Sequence, residues 1–263
     1  MCRIYAHIAP TAVSACDLLV DSKKSLLAQS RAKGREQKDG WGIGYVSPKR
    51  SALSPKIYKS PGAMYREIAK LKKAAGVAAP VVIGHIRAAS NPRKLPKRVM
   101  IGMANTQPFT DGTLVFAHNG TVNVPDAVVK RLGALRGSVK GLNDSEAYFW
   151  QFMKFYRKSG KVAQALENCL KELKGLSARP HHGLNTVISD GSKLYAFCHY
   201  PSKAKALLSR RPWGRMVYAV RKDRVVVASE PLDGGKWKDL REGQLLEADG
   251  SGKIRKRMLK LAC

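Results

Sequence analysis

The sequence has few acidic residues, few cysteines and no long apolar run. Its 263 residues include 19 Asp and Glu against 48 Lys and Arg, which gives a formal net charge of +29. The longest nearly uncharged apolar stretch, residues 74–83, is about half of the ~18–20 residues that span a bilayer, so no membrane helix is predicted. Five cysteines without a CxxC pair predict neither a disulfide framework nor a zinc site, and they favour a reducing cytoplasm.

Motifs for nucleotide and metal chemistry are also missing. The sequence contains no GxxxxGK[ST], GxGxxG or HExxH pattern, which disfavours a nucleotide-dependent activity. The adjacent pair His181 and His182 has no Asp, Glu or Cys at the spacing of metal ligands. The sequence therefore predicts no cofactor and no metal.

The positive charge is spread along the chain except in one segment. Residues 51–100 carry eleven cations and one acidic residue, whereas residues 101–150 carry four of each. A strongly basic chain is typical of proteins that bind nucleic acid, so this function stays an alternative. Against it, no known DNA or RNA module appears, and the aromatic residues, 7% of the chain, do not cluster with the basic runs.

The hydrophobic pattern predicts a mixed α+β protein. Short apolar or alternating runs predict strands at residues 3–8, 41–46, 81–88, 113–118, 186–189, 194–199, 216–220 and 225–229. Helical periodicity predicts helices at residues 145–157 and 162–173, and further helices at 63–75, 126–135 and 12–27. Turn sequences at 189–192, 221–224 and 249–252 predict an antiparallel meander in the last third of the chain.

Cys2 is the first candidate catalytic residue. A small residue after the initiator methionine allows Met1 to be removed, which leaves a chain that starts with cysteine. The thiol and the α-amine then belong to one residue, and an amine with a pKa near ~7.7–8.0 can take the thiol proton at neutral pH. Taken alone, Cys2 is more simply explained as a small apolar residue at the start of a strand.

Polar residues end two of the apolar runs and open the clearest helix. Arg87 ends the run that begins at Val81, Asn119 and Gly120 follow the run that ends at His118, and Asp144 precedes the helix at 145–157. The ends of strands are where functional sites are usually built. Each residue also has a structural explanation, as an ion-pair partner, a turn or a helix cap.

Taken together and in this order, these segments resemble the class II glutamine amidotransferases, which are N-terminal-nucleophile hydrolases. The resemblance is carried by GHIRAAS at 84–90, NTQPF at 105–109, FAHNGTV at 116–122 and NDSE at 143–146, with further matches at 39–45, 183–191 and 227–232. It extends from Cys2 to about residue 250 and is closest to compact members in which the glutaminase-like domain is the whole protein. It implies one domain over residues 2–263, folded as a four-layer αββα sandwich of two mostly antiparallel sheets flanked by helices.

The resemblance implies three catalytic residues. Cys2 would be the nucleophile and its freed α-amine the general base. The side-chain amide of Asn119 and the backbone N–H of Gly120 would stabilise the oxyanion that forms when the thiolate attacks a carbonyl.

Four further residues would bind the substrate. Glutamine carries a carboxylate and an ammonium on its α-carbon, which Arg87 and Asp144 would bind as a planar fork and as an acceptor. Gln107 and Ser90 complete the implied set. Two positions depart from the family pattern: Gln107 stands where His is common, and Ala88 stands where an aromatic residue is common.

The predicted function is hydrolysis of the γ-amide of glutamine or of another γ-glutamyl compound through a γ-glutamyl thioester, with release of ammonia or an amine. The first alternative is a glutaminase subunit that supplies ammonia to a separate synthetase. The second is a non-enzymatic basic protein that binds nucleic acid. A small-molecule substrate is the expected partner, with no membrane association.

Overall fold

The strands account for most of the regular structure. The computed structural model describes residues 2–46, 55–200 and 214–260. In chain order the strands are β1 (Arg3–Val13), β2 (Trp41–Val46), β3 (Lys56–Ser60), β4 (Ala79–Ile86), β5 (Phe109–Thr110), β6 (Val115–Val122), β7 (His181–Ser189), β8 (Lys193–Phe197), β9 (Val217–Val220), β10 (Val225–Ala228), β11 (Lys238–Asp239), β12 (Gln244–Asp249) and β13 (Ile254–Met258). Every strand pairing among them is antiparallel.

Two sheets result from these pairings. The first has the order β11-β9-β10-β1-β4-β2-β3, and the second has the order β13-β12-β8-β7-β6-β5. The strand that follows Cys2 is therefore central in the first sheet. Strand β6, which carries Asn119 and Gly120, lies next to the short edge strand β5 in the second sheet.

The helices lie outside the two sheets. They are α1 (Leu26–Ser30), α2 (Ile68–Ala75), α3 (Lys97–Met100), α4 (Pro125–Lys130), α5 (Asp144–Ser159) and α6 (Val162–Lys174). Helix α5 begins after Asn143, whose side chain accepts the Ser145 N–H at 2.9 Å. It ends at Gly160, which has the left-handed backbone conformation (φ 63°) that favours glycine.

Alternation of side chains along the strands separates three hydrophobic layers. On β1, Ile4, Ala6 and Ile8 pack between the sheets, whereas Tyr5 packs with α1 and α2 on the outer face of the first sheet. On β6, Phe116 packs under α5 and α6 on the outer face of the second sheet. The order of layers is helices, sheet, sheet, helices, which confirms the four-layer α+β architecture.

Most predicted elements are present with shifted ends. The strand predicted at 41–46 is β2 without change, and the helices predicted at 145–157 and 162–173 lie within α5 and α6. The segments 63–75 and 126–135 each divide into a 3₁₀ turn and a short α-helix.

The helix predicted at 12–27 is wrong. Strand β1 continues to Val13, a single π-helical turn spans Asp17–Asp21, and the chain is extended at Ser22 (ψ 142°) before α1 begins. Ser25 caps α1 by accepting the Ala28 N–H at 3.2 Å. A serine cap of this kind starts a new helix rather than continuing an old one, and the buried Leu18 and Leu19 mimic helical periodicity because they pack on the sheet from the π-turn.

The C-terminal third is not one meander. The predicted turns at 189–192, 221–224 and 249–252 do join antiparallel pairs, namely β7 with β8, β9 with β10, and β12 with β13. The middle hairpin belongs to the first sheet and the other two belong to the second. The turn sequences identify local hairpins but carry no information on which sheet each hairpin joins.

Buried histidines, His7 and His85 among them, make the fold sensitive to acid. Burial is the main cause that lowers the pKa of His7 to about 4 and of His85 to about 3. Between the pKa of an unfolded histidine, ~6.5, and these values, the unfolded chain binds protons that the folded chain does not. Stability therefore falls as pH drops below about 6.5, by on the order of 1 kcal/mol per pH unit for each group.

Urea unfolding at pH 7 and pH 5 measures this effect. We expect the His7→Gln variant to lose less stability between the two pH values than the wild type does, because glutamine can replace the hydrogen bonds of His7 but binds no proton. His182→Gln, at an exposed position, is the control and leaves the loss unchanged. An equal loss of stability in wild type and His7→Gln would show that protonation of His7 does not contribute to the acid sensitivity.

Candidate active site

Cys2 lies at the start of β1, with its side chain on the same face as Ile4 between the sheets. The residue is 8% exposed, and its thiol donates to the Ala88 carbonyl oxygen at a sulfur–oxygen distance of 3.5 Å. Burial is the main cause that raises the pKa of the thiol. The thiol is therefore protonated at neutral pH, and a nucleophilic role for it requires a base.

Arg87 stands beside Cys2 at the end of β4. Arg3 pairs with Ile86 in the β1–β4 ladder, and continuing this register places Cys2 opposite Arg87. The Arg87 guanidinium is anchored through Nη1, which donates to the Met100 carbonyl at 2.7 Å and to the Asp39 carbonyl at 3.3 Å. Its Nη2 is buried and has no hydrogen-bond partner among the described residues.

Asp144, the first residue of α5, is fully buried. Its carboxylate accepts the Ser90 hydroxyl at 2.7 Å and the Val122 N–H at 2.8 Å. Because Asn143 caps the helix, the carboxylate of Asp144 is not the cap. It connects the loop after β4 with the end of β6. Arg87, Asp144 and Cys2 also lie within electrostatic range of one another.

Asn119 projects from β6 into the space between the sheets, on the same face as Ala117. Its Nδ2 is 3.4 Å from the Ser229 hydroxyl, which itself accepts the Ile4 N–H at 2.9 Å. A chain of two hydrogen bonds therefore connects the Asn119 amide to the backbone of β1, two residues from Cys2.

Gly120 occupies a position that admits no side chain. A Cβ there would lie 2.0 Å from the Gly183 carbonyl oxygen and 2.6 Å from the Nε2 of His118. The N–H groups of alternate residues point to the same edge of a strand. The His118 N–H is accepted by Gln107 at the outer edge of β6, so the Gly120 N–H, two residues further along the strand, points to the same edge.

The two remaining sequence candidates hold other residues in place. Ser90 donates to the Asp144 carboxylate. The Gln107 amide is 1% exposed, and both of its atoms bind the backbone of His118, with Oε1 accepting the N–H at 2.7 Å and Nε2 donating to the carbonyl at 3.0 Å. The Nε2 also donates to the Nε2 of His85. Both N–H groups of the amide therefore have acceptors within the protein.

Asp39 and Ser229 are two residues of the site to which the sequence assigned no role. Asp39 accepts Arg87 through its carbonyl and the Ala89 N–H through its carboxylate at 2.9 Å. Both residues lie in segments that match the family, at 39–45 and 227–232. The match points to the segments, but only the fold shows which side chains within them face the site.

The described residues contain no cluster of three or more His, Cys, Asp or Glu side chains that could hold a metal ion. His181 instead packs against the ring of His199, with centroids 4.9 Å apart. Among the residues that the structure describes, no helix is long and apolar enough to cross a membrane.

Comparison with known proteins places the chain in a family. The family model described as "Glutamine amidotransferases class-II" matches residues 1–259. The chain is 27% identical over 260 residues to a γ-glutamyl-hercynylcysteine sulfoxide hydrolase of Mycobacterium tuberculosis, a match that covers 96% of this chain and 94% of the relative.

Solved structures share the fold. A glutamine aminotransferase class-II domain protein from Silicibacter pomeroyi superposes with a TM-score of 0.70 at 20% identity, covering 99% of this chain and 100% of that chain. The glutamine phosphoribosylpyrophosphate amidotransferase from B. subtilis gives a TM-score of 0.66 at 17% identity, covering 97% of this chain but 49% of that chain.

Proposed function

The chain belongs to the class II glutamine amidotransferases, and we propose that it hydrolyses the γ-amide bond of a γ-glutamyl compound with Cys2 as the nucleophile. The observation that carries this proposal is the buried guanidinium of Arg87, whose Nη2 has no partner among the described residues. A buried cationic N–H without a partner costs free energy until an anion accepts from it. The α-carboxylate of a γ-glutamyl group is such an anion.

Asp144 supplies the opposite charge. A γ-glutamyl group carries its carboxylate and its ammonium on the same carbon, so a site for it needs one cation and one anion close together. Arg87 and Asp144 meet this requirement, since they interact electrostatically with each other and with Cys2. In the proposed complex the α-carbon is held by these two residues and the γ-carbonyl carbon lies at the sulfur of Cys2.

Cys2 supplies both the nucleophile and the base. Removal of Met1 frees its α-amine, which takes the proton from the thiol as the sulfur attacks the γ-carbonyl carbon. The C–N bond then breaks, the departing ammonia or amine receives that proton, and a γ-glutamyl thioester remains on Cys2. Water attacks the thioester, gives a proton to the regenerated thiolate through the amine, and releases the γ-glutamyl group as glutamate.

Asn119 and Gly120 stabilise the charge that develops on the carbonyl oxygen. The Nδ2 of Asn119 lies between the sheets near the start of β1, and the N–H of Gly120 points to the outer edge of β6. Donors fixed in advance by a rigid strand need no reorganisation during the reaction, which is why such groups contribute strongly to catalysis.

Hydrolysis, rather than transfer of ammonia, is the favoured version of the reaction. The mycobacterial relative matched along 94% of its length is named as a hydrolase of a γ-glutamyl compound. The B. subtilis amidotransferase, by contrast, has about half of its length outside the match. The substrate class we propose is therefore γ-glutamyl amides, glutamine among them.

Glutamate release from a panel of γ-glutamyl compounds tests the proposal. We expect the Arg87→Lys variant to raise KM by about 10–100-fold with a smaller change in kcat, because lysine keeps the charge but loses the planar fork. The range corresponds to the loss of one hydrogen bond to a charged group, ~1.5–3 kcal/mol.

Arg66→Lys, at an exposed position, is the matched control and leaves both constants unchanged. An unchanged KM in Arg87→Lys, with the protein folded and active, would contradict the assignment of the carboxylate site. Lack of glutamate release from every compound in the panel by protein that lacks Met1 would contradict the proposed reaction.

A further inference from the structure

At the edge of the second sheet, the side-chain amide of Gln107 forms the hydrogen bonds that the backbone of a neighbouring strand would form. Strand β5 pairs with β6 only at Phe109 with Phe116 and at Thr110 with Val115. Continuing this register places Gln107 opposite His118. At that rung the side-chain amide of Gln107, rather than its backbone, accepts the His118 N–H and donates to the His118 carbonyl. The amide thus supplies the pair of hydrogen bonds that a neighbouring strand would give.

This rung lies directly before the proposed oxyanion donors. Asn119 and Gly120 follow His118 in the chain, so the orientation of the His118 backbone sets the direction of the Asn119 side chain and of the Gly120 N–H. The His118 ring is held as well, since its Nδ1 is 2.9 Å from the Ser145 hydroxyl and its Nε2 is 3.3 Å from the Gly183 carbonyl.

A third contact connects Gln107 to the first sheet. Its Nε2 is 3.2 Å from the Nε2 of His85, a fully buried residue two positions before Arg87 on β4. The two bonds to the His118 backbone fix which end of the amide is the nitrogen, so Gln107 is the donor here and the His85 Nε2 is the acceptor. The proton of His85 therefore sits on Nδ1. Side chains at 85 and 87 share the face between the sheets.

We infer that Gln107 is a positioning residue, which fixes the oxyanion donors Asn119 and Gly120 relative to Arg87 by connecting β6 to β4 through one buried amide. The inference rests on the proposed function and departs from the sequence-based expectation that Gln107 binds the substrate. All three of its contacts are to protein groups: the His118 N–H, the His118 carbonyl and the His85 ring.

Gln107→Met tests this role, because methionine has a similar length and fills the buried space but forms none of the three hydrogen bonds. We expect kcat for glutamate release to fall by about 10–100-fold, below the ~10²–10³ for outright loss of one oxyanion donor, while KM stays within about threefold. Gln107→Glu, which keeps the acceptor and loses the donor, is the second variant, and its kcat should also be lower than that of the wild type.

The matched control is Gln151→Met, at a fully buried glutamine on α5 that donates to Glu172 away from the site. It should lower the melting temperature without changing kcat. A rise in KM at unchanged kcat in Gln107→Met would overturn the inference in favour of direct contact with the substrate. Unchanged kinetics in both Gln107 variants would overturn it in favour of a purely structural role.

A readout that needs no turnover separates this inference from the proposed function. The ¹⁵N chemical shifts of His85 report which ring nitrogen carries the proton. We expect the Nδ1–H form in the wild type and a mixture of both forms in Gln107→Met. A wild type that shows the Nε2–H form would contradict the hydrogen bond from Gln107 to His85, and with it the inference, even if glutamate release were normal. The expected shifts in a protein that releases no glutamate would instead count against the proposed reaction alone.

Discussion

Replacing Cys2 with alanine is expected to abolish glutamate release from every γ-glutamyl compound. The variant retains the backbone, the small size and the α-amine of residue 2, and it loses only the sulfur that forms the thioester. Loss of a nucleophile in a covalent mechanism typically removes several orders of magnitude in kcat, on the order of 10⁴ or more. Steady-state kinetics with the wild type and Cys2→Ala in parallel measures the effect.

Cys16→Ala is the control for the loss of a thiol. Cys16 is partly buried near α2, outside the site, and its replacement should leave kcat unchanged. Binding should survive in Cys2→Ala, because Arg87 and Asp144 are intact. The variant should therefore still bind glutamate or a γ-glutamyl amide. Turnover by Cys2→Ala within tenfold of the wild type would contradict the nucleophile assignment.

The second large effect is expected at Asn119. Asn119→Ala removes one of the two proposed oxyanion donors, and we expect kcat to fall by about 10²–10³ with KM little changed, because the donor acts mainly on the charge that appears in the transition state. Single-turnover measurements of thioester formation locate the loss in the chemical step.

The control is Asn123→Ala, just beyond the end of β6, whose side chain donates to the Arg179 carbonyl. Asn123→Ala should keep the wild-type kcat. This result would show that the lower kcat of Asn119→Ala comes from loss of the oxyanion donor and not from a general disturbance at the end of β6. A fall in thermal stability at Asn119→Ala with normal kinetics would mark Asn119 as a structural link between Ser229 and β6, and would remove it from the oxyanion site.

The positions of the proposed catalytic residues follow from patterns that are local in the sequence. The apolar run before Arg87 and the run before Asn119 are each a strand, and the helix predicted at 145–157 begins one residue early, at Asp144. Arg87 follows the end of β4, whereas Asn119 and Gly120 lie within β6, which continues to Val122 instead of ending at His118 as the sequence predicted.

The supporting contacts are not local, which is why the sequence did not reveal them. Ser229 is 110 residues from Asn119 and 225 residues from Ile4, yet it bonds to both. Gln107 was assigned to the substrate because its motif resembles a binding segment, whereas in the fold its amide completes the edge of β6. Such roles depend on strand register and on sheet order, neither of which hydrophobic periodicity records.

Exposed elements of the described residues carry part of the net charge of +29. Lys70, Lys72 and Lys73 are exposed on α2, and a second exposed basic set lies on β13 and is composed of Arg255, Lys256 and Arg257. The segment 101–150, which carries Asn119, Gly120 and Asp144, has no net charge. Family membership and the geometry of the site, rather than the charge, therefore support the proposed function.

The intact mass of the protein, quenched with acid during steady-state turnover of a γ-glutamyl amide, shows whether Cys2 carries the acyl group. Nucleophilic catalysis by Cys2 predicts a chain without Met1 and a fraction of molecules heavier by one γ-glutamyl group, which peptide mapping assigns to Cys2. The added group should be absent in Cys2→Ala. An active protein that retains Met1, or a γ-glutamyl group attached to any other residue, would rule out Cys2 as the nucleophile.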